Sequence, residues 1–553
     1  MRTPRLSGYA LASIANLARR GAGNVALRRM MRRDLKVGQL AALPDALRGD
    51  LPLDTQALQA RPPRGGEDAR HPLPGDTSWA GTSESFSRAY REGATTPREV
   101  VERTLDAARE LAARTPTVGP LLDVATAAAL EEAEAATARW RAGRPRGPMD
   151  GVPFAVKEQT AVRGLPRRSG APYADGSAQL EDATCVARLR AQGAIPVGTT
   201  PMTEWGMTPL GCNVHRSLPR NPHATDCIAG GSSTGSGVAV ATGLVPFALG
   251  VDGGGSVRIP SALNGVFGIK PTWGRVSRHG DSSTGSVSHI GTLASSTLDL
   301  ARTLEALGPP DPRDPQTAGA TALPPGSLER ALGRGVKGLR IGVEEREWRD
   351  AARGVSKACE DALHVLERAG AKIVEVQIPL ARFAPAVGFV TIGLETRAAL
   401  AADWRDHAEE MSPDLQVTLA TMQTLSGIDF VDAMRLRAGL RREAQRVFAD
   451  VDLLALPTTA ATAISVTDGE MNGFMDTTAL EALCRFSFFA NLTGLPAGSA
   501  PVGRDARGLP IGFQLVGDAW DEATVLAGMA HLERLGAAKA ERPKVAVDVL
   551  VAR

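Results

Sequence analysis

Two glycine-serine clusters and one lysine carry the chemistry in this chain. The clusters run Gly230 to Gly237 (GGSSTGSG) and Gly250 to Arg258 (GVDGGGSVR). The lysine, Lys157, ends the apolar run Gly151 to Val156 (GVPFAV). A serine hydroxyl is a weak nucleophile and needs a base. A lysine serves only when neutral, so its pKa must fall from ~10.4 toward ~7–8, which burial does. Acyl transfer also develops an oxyanion, best held by pre-aimed backbone N–H groups. Gly253, Gly254 and Gly255 let successive N–H groups point into one concavity beside Ser256. The competing readings are a solvated lysine at a strand end and a tight glycine turn, although three glycines exceed what a turn needs.

Other chemistries fit these residues less well. No Gly-Lys-Ser/Thr follows either cluster and neither reads as G-x-G-x-x-G, which argues against a phosphate cradle. Gly231 to Gly235 matches G-x-S-x-G at Ser233, but a nucleophile elbow needs a strand immediately before the serine. Asn221 to Asp226 is loop chemistry, and His531, late in the chain, falls mid-helix. The five cysteines are scattered without C-x-x-C, and the eight histidines include no ligand-spaced pair. Neither a disulfide framework nor a metal site is expected, and free thiols fit a cytoplasmic protein.

The elements that must hold these residues are regular after residue 80. Thr96 to Glu99 (TPRE) is a capping box opening a helix to about residue 114, and a second helix covers about 124–141. Strands are expected over 152–156, 195–198, 247–251, 339–343, 373–376, 453–456 and 511–516. Helices are expected over 183–191, 357–369 and 522–535. Short apolar runs alternating with helices indicate an α/β sheet covered on both faces. The uncharged run 227–251 carries Gly, Ser, Thr and Pro246 throughout, so it reads as buried core rather than a membrane span.

Before residue 80 the chain is different. Nine basic residues between Arg2 and Lys36 face a single acid, Asp34. A basic amphipathic helix touching a membrane or a partner is weighed below a solvated helix or a mis-called start site. Residues 51–80, rich in Pro and Gly, read as a linker. The net charge of the whole chain is +2, which gives no electrostatic case for nucleic acid. Glycine is 59 of 553 residues, and nine of these glycines fall within 226–256.

With these residues in view, the chain resembles the amidase signature family from about 82 to 535. The most specific stretch is Gly230 to Thr272, similar to the family's G-G-S-S-G-G-S, D-x-G-G-S-x-R-x-P and G-x-K-P-T segments. Further matches are GVPFAVK ending at Lys157, Leu456 to Thr459 (LPTT), Asn491 to Pro496 (NLTGLP) and Gly508 to Gln514 (GLPIGFQ). The resemblance implies a single large α/β domain with a mixed twisted sheet, residues 81–553, behind an extension of residues 1–80. A length prior of roughly 150 residues per domain would have given three or four.

The resemblance also implies a Ser–Ser–Lys triad. Ser256 is the nucleophile, Ser232 the bridging serine behind a cis peptide bond, and Lys157 the base. Gly253, Gly254 and Gly255 with the Ser256 amide would form the oxyanion hole. Asp252 and Arg258 would support it, and Ser233 would hydrogen-bond nearby. Four positions depart from the family pattern: Glu158 for Asp, Thr234 for Gly, Val251 for Thr, and Gly253 for a larger residue. The implied function is hydrolysis of a small-molecule amide through an acyl-enzyme, with side esterase activity and no metal or organic cofactor; a homodimer is compatible with it. The acyl pocket would be lined by 203–214, 378–450 and 460–485. Two other readings stand beside hydrolysis. One is a glutamyl-tRNA amidotransferase, in its A subunit, which Met202 to Gly206 (MTEWG) resembles and which needs further protein partners. The other is a non-catalytic binding protein on the same fold, although all three triad residues are present. The glycosylation-like Asn491-Leu-Thr493 sits among apolar neighbours and is expected to be buried.

Overall fold

Strands whose successive residues are all buried must be covered on both faces. Such strands build the centre of this chain. The computed structural model describes residues 5–19, 25–49, 71–73, 78–283, 285–321 and 323–551. Its main sheet has ten strands: β1 (Pro153–Lys157), β2 (Ile195–Thr200), β3 (Phe247–Asp252), β4 (Phe267–Lys270), β5 (His289–Ala294), β6 (Arg340–Val343), β7 (Lys372–Glu375), β8 (Leu453–Pro457), β9 (Ala497–Arg504) and β10 (Pro510–Gly517). The spatial order is β7-β6-β8-β10-β9-β4-β5-β3-β1-β2. Strands β2-β1-β3 and β7-β6-β8 are parallel, and the pairings between these two groups are antiparallel, so the sheet is mixed. Every residue of β1, β2, β3, β4, β5 and β10 is buried.

The sequence placed most of these elements within a few residues. The capping box forms as expected, with Thr96 accepting from the Glu99 N–H and the Glu99 side chain accepting from the Thr96 N–H. Strands β4, β5 and β9 were not expected. Each is rich in Gly or polar residues at buried positions, so hydrophobic alternation is absent. The chain between β7 and β8 folds into helices Ala384–Ala399, Ala401–His407, Pro413–Met422 and Gly427–Phe448. These pack on one another and on helix Phe488–Thr493.

The N-terminal segment departs from the solvated-helix reading. Helix Gly8–Arg19 buries Leu11, Ala15 and Ala18 against Val417 and Ala420 of helix Pro413–Met422. Among the described residues, four basic side chains that looked unmatched locally find acids on the body, one of them Arg19 on Glu409. Arg32 makes a two-pronged contact with Asp429 at 3.0 Å on each prong, Arg5 meets Glu470 at 2.8 Å, and Lys36 meets Glu481 at 2.7 Å. Most of the expected linker, 51–70 and 74–77, lies outside the described residues. Among the described residues no helix is long and apolar enough to cross a membrane.

Leu11 is the centre of this docking, so Leu11→Ala should loosen the helix by about 2–5 kcal/mol. Hydrogen exchange should then quicken over residues 8–19 while the sheet amides stay protected.

Candidate active site

Parallel pairing of β1 with β3 brings their C-terminal ends to the same edge of the sheet. The register is Phe154 to Phe247, Ala155 to Ala248 and Val156 to Leu249. Lys157 therefore ends beside the last residues of β3, and the glycine run Gly253–Gly255 leaves the sheet next to it. The crevice outside the carboxyl ends of parallel strands is where α/β sheets place their ligands. The segment before helix Thr234–Ala241 folds over this edge and delivers Ser232, whose bond to Gly231 is cis.

Lys157 is 1% exposed. Its Nζ donates to Ser232 Oγ at 2.7 Å and to the Val251 carbonyl at 3.4 Å. Burial pushes the amine down from 10.5 to about 7, with the charges of Asp281, Asp252 and Glu158 opposing the shift. Near neutral pH a large fraction of the amine is therefore an acceptor, the state a general base requires. The adjacent Glu158 is occupied elsewhere. It accepts from the Met202 N–H at 3.2 Å and pairs with Arg216 at 2.8 Å.

Ser256 is partly exposed and borders two cavities. One, of about 160 Å³, also meets Lys157, Ser232, Val251 and Gly253. The other, of about 350 Å³, meets Gly254 and runs between Phe389, Phe474, Phe488 and Leu480. Its lining draws on 206–210, 385–393 and 414–422, within the stretches expected to form an acyl pocket. It also takes Leu6, Ile14, Met30 and Met31 from the N-terminal segment, a contribution that the cationic composition of that segment concealed.

Beneath the glycine run lies a closed polar network. Arg258 donates to Asp252 through Nε and Nη2, both at 3.0 Å, to the Ser487 carbonyl at 2.9 Å, to Gln514 at 2.6 Å and to Asn491 at 2.6 Å. Asn491 in turn donates to the Asp252 carbonyl and carboxylate, both at 2.9 Å. Burial opposes the charge on Asp252, but the Arg258 guanidinium and the Asn491 amide outweigh it and hold the carboxyl below its ordinary value. Asp252 also accepts the Gly255 N–H at 2.7 Å. That donor is turned inward, contrary to the expectation that Gly255 lends it to an oxyanion. Gly255 instead makes the turn, at φ 118°, where a side chain would collide with Ser487. Ser233 is fully buried, and its hydroxyl exchanges hydrogen bonds with Val251, donating to the carbonyl at 3.4 Å and accepting the N–H at 3.3 Å. It caps no nucleophile elbow.

Opposite the glycine run, Trp205 sits at φ 48°. Its Nε1 donates to the Tyr173 hydroxyl at 2.9 Å, and Tyr173 donates to Glu204 at 2.8 Å. This chain of bonds sets Gly206 against Ser232, where a Cβ would stand 3.1 Å from the Ser232 oxygen.

Local patterns missed Asn491, Ser487, Gln514 and the Trp205 support. Asn491 had a signal: a glycosylation-like asparagine among apolar residues is buried, and a buried amide must find partners. The late histidine, His531, lines neither cavity and contacts Arg534.

A buried lysine on a serine, beside a second serine and a glycine turn, is the arrangement expected of a serine-lysine hydrolytic centre. The chain belongs to the amidase family, whose model matches residues 99–526. Among its relatives is a fatty acid amide hydrolase of Medicago truncatula, 36% identical over 473 residues, covering 84% of this chain and 78% of the relative. The A subunit of the glutamyl-tRNA(Gln) amidotransferase of Chloroflexus aurantiacus is 34% identical over 472 residues, covering 81% of this chain and 95% of the relative. The solved peptide amidase of Stenotrophomonas maltophilia superposes with a TM-score of 0.71 at 26% identity, covering 84% of this chain and 98% of that one.

Removing Arg258 strands the buried Asp252 carboxylate and three further acceptors. Arg258→Met should cost about 3–5 kcal/mol of stability, read as a fall in the urea midpoint at unchanged slope.

Proposed function

We propose that this protein is a serine amidase that hydrolyses amides of extended apolar acyl groups. The observation that carries this reading is the meeting of two unlike cavities at Ser256, with a neutral-capable lysine on one side only. Lys157 takes a proton from Ser232 as Ser232 takes one from Ser256, and Ser256 Oγ attacks the amide carbon. The N–H groups of Gly253, Gly254 and Ser256 would hold the oxyanion. Lys157 then returns its proton through Ser232 to the leaving nitrogen, the C–N bond breaks, and the acyl group stays on Ser256. Water gives up a proton along the same relay, attacks the acyl-enzyme and releases the acid.

Ser232 and Lys157 border the smaller cavity and not the larger one. The amine must leave from where its proton arrives, so the leaving group occupies the smaller cavity and the acyl group the larger. The aromatic and methionine lining of the larger cavity fits a hydrocarbon chain, in keeping with the relative named for fatty acid amides. All five cysteines are free and buried, which supports a cytoplasmic site of action. The amidotransferase reading is favoured by near-complete coverage of those relatives, and the larger cavity has charged lining residues as well, Arg33, Asp34, Lys36, Asp414 and Glu481, but its phenylalanines and methionines have no use for glutamine.

Three measurements test this reading. A fluorophosphonate should label the wild-type serine and fail on Ser256→Ala, whose kcat should fall by roughly 10³-fold or more; persistent labelling removes Ser256 from the role. The single chain should hydrolyse dodecanamide with kcat/KM roughly 10²-fold above that for acetamide or glutamine; the reverse order favours the amidotransferase. Because Lys157 acts unprotonated, kcat/KM should rise about tenfold per pH unit below about 7 and level off above it.

A further inference from the structure

The smaller cavity holds a feature that amide hydrolysis as such does not require. Apart from Lys157, its charged lining residue is Asp403, on helix Ala401–His407. Asp403 is half-buried, and among the described residues it makes no ion pair. The cations on its own and adjoining helices are engaged elsewhere. Arg405 pairs with Asp406, His407 pairs with Glu410 and stacks on Tyr173, and Arg397 lies over Trp404.

The rest of the wall is made of hydrogen-bonding groups. Ser169 and Ser282 bond each other at 2.7 Å, with Ser169 at φ 53°. Ser283 Oγ is buried and without a partner among the described residues. Gln159 on the wall donates at 3.2 Å to Asp281, whose carboxylate also accepts from the Thr160 hydroxyl at 2.6 Å and the Ser283 N–H at 2.7 Å. The chamber thus offers one unpaired carboxylate, Asp403, and no fixed cation, because Lys157 is neutral when it acts. A partly desolvated carboxylate attracts a cation more strongly than an exposed one does. An apolar wall would have sufficed for ammonia or a hydrocarbon amine.

We propose that Asp403 selects substrates whose amine leaving group carries a positive charge away from the scissile nitrogen. The substrate class is then an apolar acyl chain joined through an amide to a cationic amine, such as an acylated diamine or polyamine. This rests on the amidase reading and adds to it the charge of the leaving group. Asp403 acts on binding and orientation, and the bond changes remain those at Ser256.

The test compares pairs of dodecanamides that differ only in the end of the leaving group: N-(2-aminoethyl) against N-(2-hydroxyethyl), and N-(4-aminobutyl) against N-(4-hydroxybutyl). The wild type should favour the cationic member of at least one pair by roughly tenfold in kcat/KM. Asp403→Asn should bring that ratio to about one. Asp403→Lys should invert it and improve N-dodecanoylglycine relative to the hydroxyethyl amide. Each ratio is internal to one variant, so a general loss of folded enzyme cancels. Wild-type ratios near one in both pairs, or ratios unmoved by Asp403→Asn, overturn the selection while leaving the amidase reading intact. No turnover of any of the four amides overturns the amidase reading and this one with it.

Discussion

An amine buried at the end of a strand is the constraint on which this structure turns. Lys157 gives its two hydrogen bonds to a hydroxyl and a carbonyl, and the surrounding carboxylates act on it only at longer range. Holding it at about 7 instead of 10.5 costs folding on the order of 4 kcal/mol at pH 7. The unfolded lysine binds a proton between those two values that the folded lysine has lost. This cost therefore shrinks as pH rises through the window. Only a large dry core can carry such a term, and the wholly buried strands β1 and β3 supply it.

The same sheet order explains why the other groups arrive where they do. β3 runs parallel to β1 and delivers its glycine run to the lysine, while antiparallel β5, β4 and β9 extend the sheet to β10, which carries Gln514. Arg258 then ties Asp252 to Asn491, Ser487 and Gln514, residues more than 220 positions away in the chain. The network lies under the turn that shapes the Ser256 environment. Errors in docking the C-terminal third would thus be felt at the glycine run, although those residues touch no substrate in the proposed reaction.

Local chemistry made much of this readable. An apolar run ending in lysine announces a buried amine, and glycines in excess of a turn announce backbone brought close to something. Strands that are continuous apolar runs, such as Phe247 to Val251, stood out for the same reason. What escaped was set by partners far along the chain. Asn491 and Gln514 carry no periodic mark, and β4 and β5 bury Gly, Thr, Lys and His where alternation would predict surface. The arginine-rich N-terminus looked solvated because its acids, Asp429, Glu470 and Glu481, lie on distant helices. The inward turn of the Gly255 N–H follows from a single side chain, Asp252, which spacing alone cannot orient.

The central claim is that burial makes Lys157 a neutral amine near physiological pH. It is tested most directly by following the lysine Cε resonances of the ¹³C-lysine-labelled full chain through a pH titration, with Lys157→Met assigning the signal. The account predicts that the resonance missing from Lys157→Met has a midpoint near 7, while buried Lys270, also pushed down by desolvation, keeps its own signal in that variant. A Lys157 signal whose midpoint stays at the ordinary lysine value of 10.5 would contradict it.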